Sequence, residues 1–195
     1  MVTQFRFIAA RVCVYPCPAN YYMENVTRNC VSYCPNMTYS DSITGYCVSN
    51  CSTTQYSYDP TNQCKSTCLS PYFNDPTSYK CVLDCPHSPT TYFQVVQGLS
   101  RYCDTSCPIN QFRDYTQYVC TSNCPLSPVT YADTTSGSCL AVCSSGFYGY
   151  LADRTCKSTC PNSMFADPLT RMCVSQCDPD LGLFGDSNKA IPACV

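Results

Sequence analysis

The sequence predicts an all-β, disulfide-rich fold: an elongated, solenoid-like rod of tandem β-finger modules, each about 17 residues long, with little helix. Three observations predict it. Cysteine supplies 21 positions and tyrosine 17, whereas tryptophan is absent and long runs of Leu, Ile and Val are missing, so a conventional apolar core would be thin. Cys-x3-Cys pairs recur at 13/17, 30/34, 47/51, 64/68, 81/85, 103/107, 120/124, 139/143, 156/160 and 173/177, with a basic period of 17. Between one pair and the next runs a shared pattern, roughly C-P-x-x-x-(Y/F)-x-D-x-x-T-x-x-C, clearest in "CPNMTYSDSITGYC" and "CPNSMFADPLTRMC".

Each module opens at the second cysteine of a pair and leads into a short strand that carries an aromatic residue. The aromatic recurs as Tyr22, Tyr39, Tyr56, Phe73, Phe112, Tyr148 and Phe165, with Tyr131 and Phe184 displaced by insertions. Two residues later an aspartate recurs as Asp41, Asp75, Asp114 and Asp167, where its carboxylate can accept backbone N–H bonds and cap a turn. A second strand follows and ends in cysteine. Three segments are longer, after Cys85, Cys124 and Cys177; loops tolerate such insertions because closure entropy grows slowly with length.

A two-stranded hairpin is marginal alone, so each finger needs a staple and neighbours to stack upon. Joining the second Cys of one pair to the first of the next closes a loop of about 14 residues, worth on the order of 3 kcal/mol in the chain-entropy model. That scheme gives Cys17–Cys30, Cys34–Cys47, Cys51–Cys64, Cys68–Cys81, Cys85–Cys103, Cys107–Cys120, Cys124–Cys139, Cys143–Cys156, Cys160–Cys173 and Cys177–Cys194. Bonds inside each Cys-x3-Cys pair are the competing scheme, and sequence alone does not establish connectivity.

The resulting organisation is an incomplete first module at 1–13, regular 17-residue modules over 14–84, modules with longer fingers over 85–143, and further modules over 144–195 ending at an incomplete one. Aligning "TQFRFIAARVC" with "NQFRDYTQYVC" puts Phe5 on the aromatic position and the opening cysteine just before Met1. Cys13 is therefore expected to be unpaired or bonded to another chain. The expected partners are copies of this chain or continuing repeats of the same chain.

The recurring "C-V-S-x-C-P", as in "RNCVSYCPNM", with a following aromatic and Asp, resembles the single-disulfide modules of furin-like, growth-factor-receptor cysteine-rich regions. It is most similar to the long tandem arrays in ciliate and other protist surface proteins. The resemblance covers essentially the whole chain and implies the bonding scheme that joins successive pairs; it speaks for architecture far more than for activity. Ser52, Ser144, Leu69 and Asp178 stand where most modules have Pro, which is expected to weaken the local turn.

Several chemistries fit poorly. Formal charge is -2 without a Lys/Arg cluster, so no nucleic-acid partner is expected. No stretch reaches the roughly 20 apolar residues of a membrane span. The N-terminal apolar stretch is short and interrupted by Arg6, so secretion is inferred from the cysteines, whose cross-links need an oxidising compartment. Zinc would require about five all-cysteine sites kept reduced, with His87 the single imidazole. Redox catalysis prefers one exposed Cys-x2-Cys at a helix start, and His87 has no nucleophile motif around it. Calcium would need several of the recurrent aspartates to converge. The expectation is no enzyme, no metal and no cofactor.

Sequons at Asn25, Asn36 and Asn50 are N-glycosylation candidates; Asn50 precedes Cys51, whose bond would crowd the acceptor. The repeat aromatics, Phe5 included, are expected to pack each on its own disulfide and the next finger, with an exposed face for carbohydrate or a sister filament as the alternative. The expected role is a self-associating, glycosylated structural component of an extracellular filament, coat or stalk. The alternative is a ligand-binding segment of a cell-surface adhesin or receptor ectodomain, with the longer fingers after Cys85 and Cys177 as contact points.

Overall fold

The computed structural model describes residues 3–88, 90–161, 163–188 and 192–195. They form eleven β-hairpins, one per finger: Phe5–Phe7 with Val12–Val14 (β1, β2), Tyr22–Glu24 with Asn29–Val31 (β3, β4), Tyr39–Ser40 with Cys47–Val48 (β5, β6), Tyr56–Tyr58 with Gln63–Lys65 (β7, β8), Phe73–Asp75 with Lys80–Val82 (β9, β10), Phe93–Gln97 with Ser100–Asp104 (β11, β12), Phe112–Asp114 with Val119–Thr121 (β13, β14), Tyr131–Asp133 with Ser138–Leu140 (β15, β16), Tyr148–Tyr150 with Thr155–Lys157 (β17, β18), Phe165–Asp167 with Met172–Val174 (β19, β20) and Gly185–Asp186 with Ala193–Cys194 (β21, β22). Three short 3-10 turns, Ile8–Ala10, Asp59–Thr61 and Pro179–Leu181, are the helical elements of the described residues. The fold is all-β and disulfide-rich, built from tandem fingers.

The chain divides into two compact units, Met1–Cys103 and Asp104–Val195. Within each, one rule repeats. The two strands of a finger pair antiparallel with the aromatic, middle and acidic positions opposite the three residues around the closing cysteine, as in Phe165↔Val174, Ala166↔Cys173 and Asp167↔Met172. The first strand of a finger then pairs in parallel with the second strand of the next finger. In the first unit this gives Arg6↔Asn29, Ser40↔Gln63, Ser57↔Lys80 and Asn74↔Tyr102, with a single bridge Met23↔Tyr46. In the second it gives Arg113↔Ser138, Ala132↔Thr155, Gly149↔Met172 and Ala166↔Ala193.

Disulfides span fingers, and none joins the two members of a Cys-x3-Cys pair. Cys17 is bonded to Cys30, Cys34 to Cys47, Cys51 to Cys64, Cys68 to Cys81 and Cys85 to Cys103. In the second unit Cys107 is bonded to Cys120, Cys124 to Cys139, Cys143 to Cys156, Cys160 to Cys173 and Cys177 to Cys194. Cys13 is free and exposed.

Alternation along these short strands decides what is buried. The middle residue of the first strand is buried in most fingers, as Met23, Ser40, Ser57, Ala132 and Ala166. Opposite each lies a disulfide, most of whose cysteines are buried too. With so little aliphatic side chain, sulfur and aromatic rings take the place of a Leu/Ile core.

Candidate functional site: the finger junction

The feature repeated along the chain is the joint between a finger and the next, and its first component is a capped turn. Asp41 accepts from the Ile43 N–H at 2.9 Å, Asp75 from Thr77 at 2.9 Å, Asp114 from Thr116 at 2.8 Å and Asp167 from Leu169 at 2.9 Å. Asp133 and Asp186 do the same toward Thr135 and Asn188, and Glu24 accepts from Val26 at 2.7 Å and Thr27 at 2.6 Å. Burial raises the carboxyls of Asp41, Asp75, Asp133 and Asp167, and hydroxyl and backbone donors outweigh it, mostly those of their own turns but for Asp133 chiefly the Ser144 hydroxyl of the following finger, leaving them below the ordinary aspartate value. No group of three or more metal-ligating residues converges among the described residues.

The turn ends in a left-handed residue two positions before the closing cysteine, at Arg28, Gly45, Asn62, Tyr79, Gly137, Arg154 and Arg171. That conformation turns its carbonyl toward the preceding finger. There the middle residue of the first strand donates to it: Arg6 N–H to Arg28 at 2.8 Å, Met23 to Gly45 at 2.8 Å, Ser40 to Asn62 at 2.8 Å, Ala132 to Arg154 at 2.8 Å and Gly149 to Arg171 at 2.8 Å. Non-glycine residues reach positive φ at a cost. At Arg154 and Arg171 the guanidinium compensates by donating to the backbone carbonyls of Cys124 and Cys143, the opening cysteines of the preceding fingers.

The third component is the aromatic ring. Phe5 packs with Met23 and Cys30, Phe73 with Cys85 and Cys103, and Tyr131 with Cys143 and Cys156. In each case the disulfide belongs to the following finger, so a ring covers its neighbour's bond. Arg101 also lies over the Phe73 ring, 4.4 Å from its centroid. The middle residue of the next finger must leave room: a Cβ on Gly149 would stand 3.0 Å from the Tyr131 ring, and one on Gly185 would stand 2.6 Å from Phe165.

Among the repeat aromatics, Phe5 and Phe73 are buried, and Tyr22, Tyr39, Tyr56, Phe112, Tyr148 and Phe165 are half-buried. Tyr131 is buried, whereas Phe184 is 68% exposed. The Tyr39 hydroxyl donates to Asp59 at 2.5 Å, which together with burial raises its pKa. Asn25, Asn36 and Asn50 are all exposed, as is His87.

The residues that replace Pro keep hydrogen-bonded turns. Ser52 and Ser144 retain the turn bond, accepting on their carbonyls from Gln55 at 2.9 Å and Phe147 at 3.0 Å. Their hydroxyls also link fingers. Ser144 donates to Asp133 of the preceding turn, and Ser52 donates to Gln55, whose amide reaches Asp41 at 3.4 Å. Leu69 likewise accepts from the Tyr72 N–H at 2.9 Å, and Asp178 caps its own 3-10 turn through Asp180 at 2.9 Å.

No helix of the described residues is long and apolar enough to cross a membrane. The chain matches no protein-family model, no curated protein and no solved structure.

Proposed function

We propose that the chain is a self-associating, glycosylated structural component of an extracellular filament, coat or stalk, without catalytic activity. One observation carries this reading: ten of the eleven fingers are closed by their own disulfide, the first with its free Cys13 being the exception, and within each unit fingers are hydrogen-bonded to the next in the same register, a design that resists extension. Ten disulfides need an oxidising compartment, which supports a site outside the cell. Asn25 and Asn36 lie exposed on turns, where a glycan costs no packing. The resemblance of the cysteine spacing to the arrays of protist surface proteins points the same way.

Electron microscopy of the native material, labelled with an antibody to this chain, tests the proposal. Long regular filaments or a continuous coat are the expected result, and dispersed particles on a cell surface refute it.

A groove in the first unit favours the second reading, a ligand-binding segment of an adhesin or receptor. It encloses about 380 Å³ and is lined by Tyr39, Asn50, Thr53, Ser78, Tyr79 and Lys80, a set of rings, hydroxyls and an amide suited to a sugar. Binding of a soluble glycan that is lost with Tyr79→Ala would favour it.

A further inference from the structure

Three consecutive fingers of the first unit, closed by Cys34–Cys47, Cys51–Cys64 and Cys68–Cys81, have no disulfide joining one to another. One groove of about 380 Å³ crosses all three, within the range of about 300–1,000 Å³ typical of ligand clefts. Tyr39 of the first finger, Ser57 of the second and Tyr79 of the third line it. The backbone fixes this span, because the Ser40 N–H donates to the Asn62 carbonyl at 2.8 Å and the Ser57 N–H to the Tyr79 carbonyl at 2.9 Å.

The walls present what a sugar ring recognises. Tyr79 stacks on Tyr56, with ring centroids 6.5 Å apart and planes inclined by 28°, which holds its ring while 43% of the residue stays exposed. Met37, 86% exposed, lines the same groove and adds apolar surface for the C–H face of a sugar. Ser49, Thr53 and Lys80 are exposed along it, and none of their side chains bonds to another described residue. Their hydroxyl and ammonium donors are therefore available to sugar oxygens.

The groove also carries a point of attachment. Asn50 lines it and opens the sequon "NCS". Cys51 is half-buried in its bond to Cys64, whereas Asn50 is exposed, so the disulfide leaves the amide open. Asn25 and Asn36 are exposed as well, and neither lines this groove. A glycan linked to Asn50 starts inside the groove, at an effective concentration on the order of millimolar.

We propose that Asn50 carries an N-linked glycan whose first sugars lie in this groove against Tyr79 and Met37, tying together three fingers that no disulfide joins. In the transfer, the Asn50 amide nitrogen bonds to the anomeric carbon of an oligosaccharide carried on a lipid pyrophosphate. The carbon–oxygen bond to the pyrophosphate breaks, the lipid pyrophosphate leaves with the electron pair, and one amide proton is lost. The occupant is the chain's own glycan because the attachment point and the rings share one groove. This rests on the glycosylated reading above and gives one glycan a place and a role.

The full chain, secreted from a eukaryotic host, tests it. Enzymatic deglycosylation of the denatured chain in heavy-oxygen water converts each occupied asparagine to a labelled aspartate, and Asn50 is expected among them. On the folded chain, release at Asn50 should be about tenfold slower than at Asn25, and Tyr79→Asn, which suits the left-handed φ of 54°, should remove the difference. Nitration by tetranitromethane gives a second reading that leaves the ring in place: Tyr79 should react about tenfold faster in Asn50→Gln than in the glycosylated chain, with exposed Tyr33 unchanged. A bare Asn50, an occupied Asn50 released as fast as Asn25, or equal nitration of Tyr79 in the two chains overturns the proposal. If Asn25 and Asn36 are occupied and Asn50 is bare, only this assignment falls; if all three are bare, the glycosylated reading falls with it. Protection of Tyr79 by a soluble glycan on a chain bare at Asn50 overturns the proposal in favour of the ligand-binding reading.

Discussion

Replacing Asp133 by alanine should loosen two fingers at once. Its carboxylate is fully buried, accepts from the Thr135 N–H at 2.8 Å, and takes the Ser144 hydroxyl from the next finger. A hydrogen bond to a charged group contributes about 1.5 kcal/mol at the lower end, so losing two costs about 3 kcal/mol. Ser144→Ala removes one of them and should cost about 1.5 kcal/mol. Disulfides hold each finger closed even when its neighbours open, so a single global midpoint would blur the effect; native-state hydrogen exchange reads it locally. Exchange of the Thr135 and Gly137 amides should speed up about a hundredfold in Asp133→Ala and about tenfold in Ser144→Ala. The double variant should resemble Asp133→Ala alone, because the serine then has no acceptor left to lose. Exchange unchanged within about twofold in Asp133→Ala, or single effects that simply add, would refute the idea that this carboxylate couples adjacent fingers.

Acid should act on the same turns. The carboxyls of Asp41, Asp75, Asp133 and Asp167 sit below their ordinary value in the folded chain, so the unfolded state binds more protons as pH falls below about 4. Their contribution is complete above the unfolded value and is lost as pH drops through the folded ones; amide exchange in these turns, corrected for intrinsic rates, should show protection falling on that side and none of it changing between about pH 6 and 8. Phe73→Ala should destabilise the joint with the following finger by about 3 kcal/mol or more, seen as faster reduction of Cys85–Cys103, with the Cys17–Cys30 rate unchanged. Glycosidase treatment of the native protein should lower its mass at Asn25 and Asn36, and intact-peptide mapping that finds both bare refutes the glycan assignment.

Much of a single finger can be read from its residues because each device is local. Aromatic, Asp and closing cysteine fall at fixed offsets, and Asp41, Asp75, Asp114 and Asp167 could be expected to cap before any coordinates. Glu24, Asp133 and Asp186 escape a pattern that counts forward from the opening cysteine and asks for Asp. Counting back six residues from the closing cysteine finds Glu24 and Asp133, since the insertion in that finger lies ahead of its aromatic. What joins fingers is less legible. A parallel pairing between strands that are not consecutive leaves no mark on either one, so Arg6↔Asn29 has no signature beyond the period itself. The sequence pattern places each ring on its own disulfide and the next finger; Phe5 and Tyr131 do reach the next finger, and the disulfide they cover there is that finger's and not their own, which only the parallel pairing of neighbouring fingers makes apparent. Ser52 and Ser144 read as lapses in a Pro-based turn, and their acceptors become apparent only when the fingers stand side by side.

Placing each disulfide across a finger also fixes how the polypeptide answers tension. A pull along the backbone of an unlinked 17-residue repeat could draw out about 58 Å of contour. Here the load path crosses from Cys17 to Cys30, whose Cα atoms are 5.6 Å apart, and then follows the four-residue step to Cys34, about 14 Å when taut. Even with every hydrogen bond broken, a repeat can pay out only about 20 Å, roughly a third of its contour. Reducing agents should therefore change the slack in this chain far more than heat does, lengthening each released finger by some 40 Å.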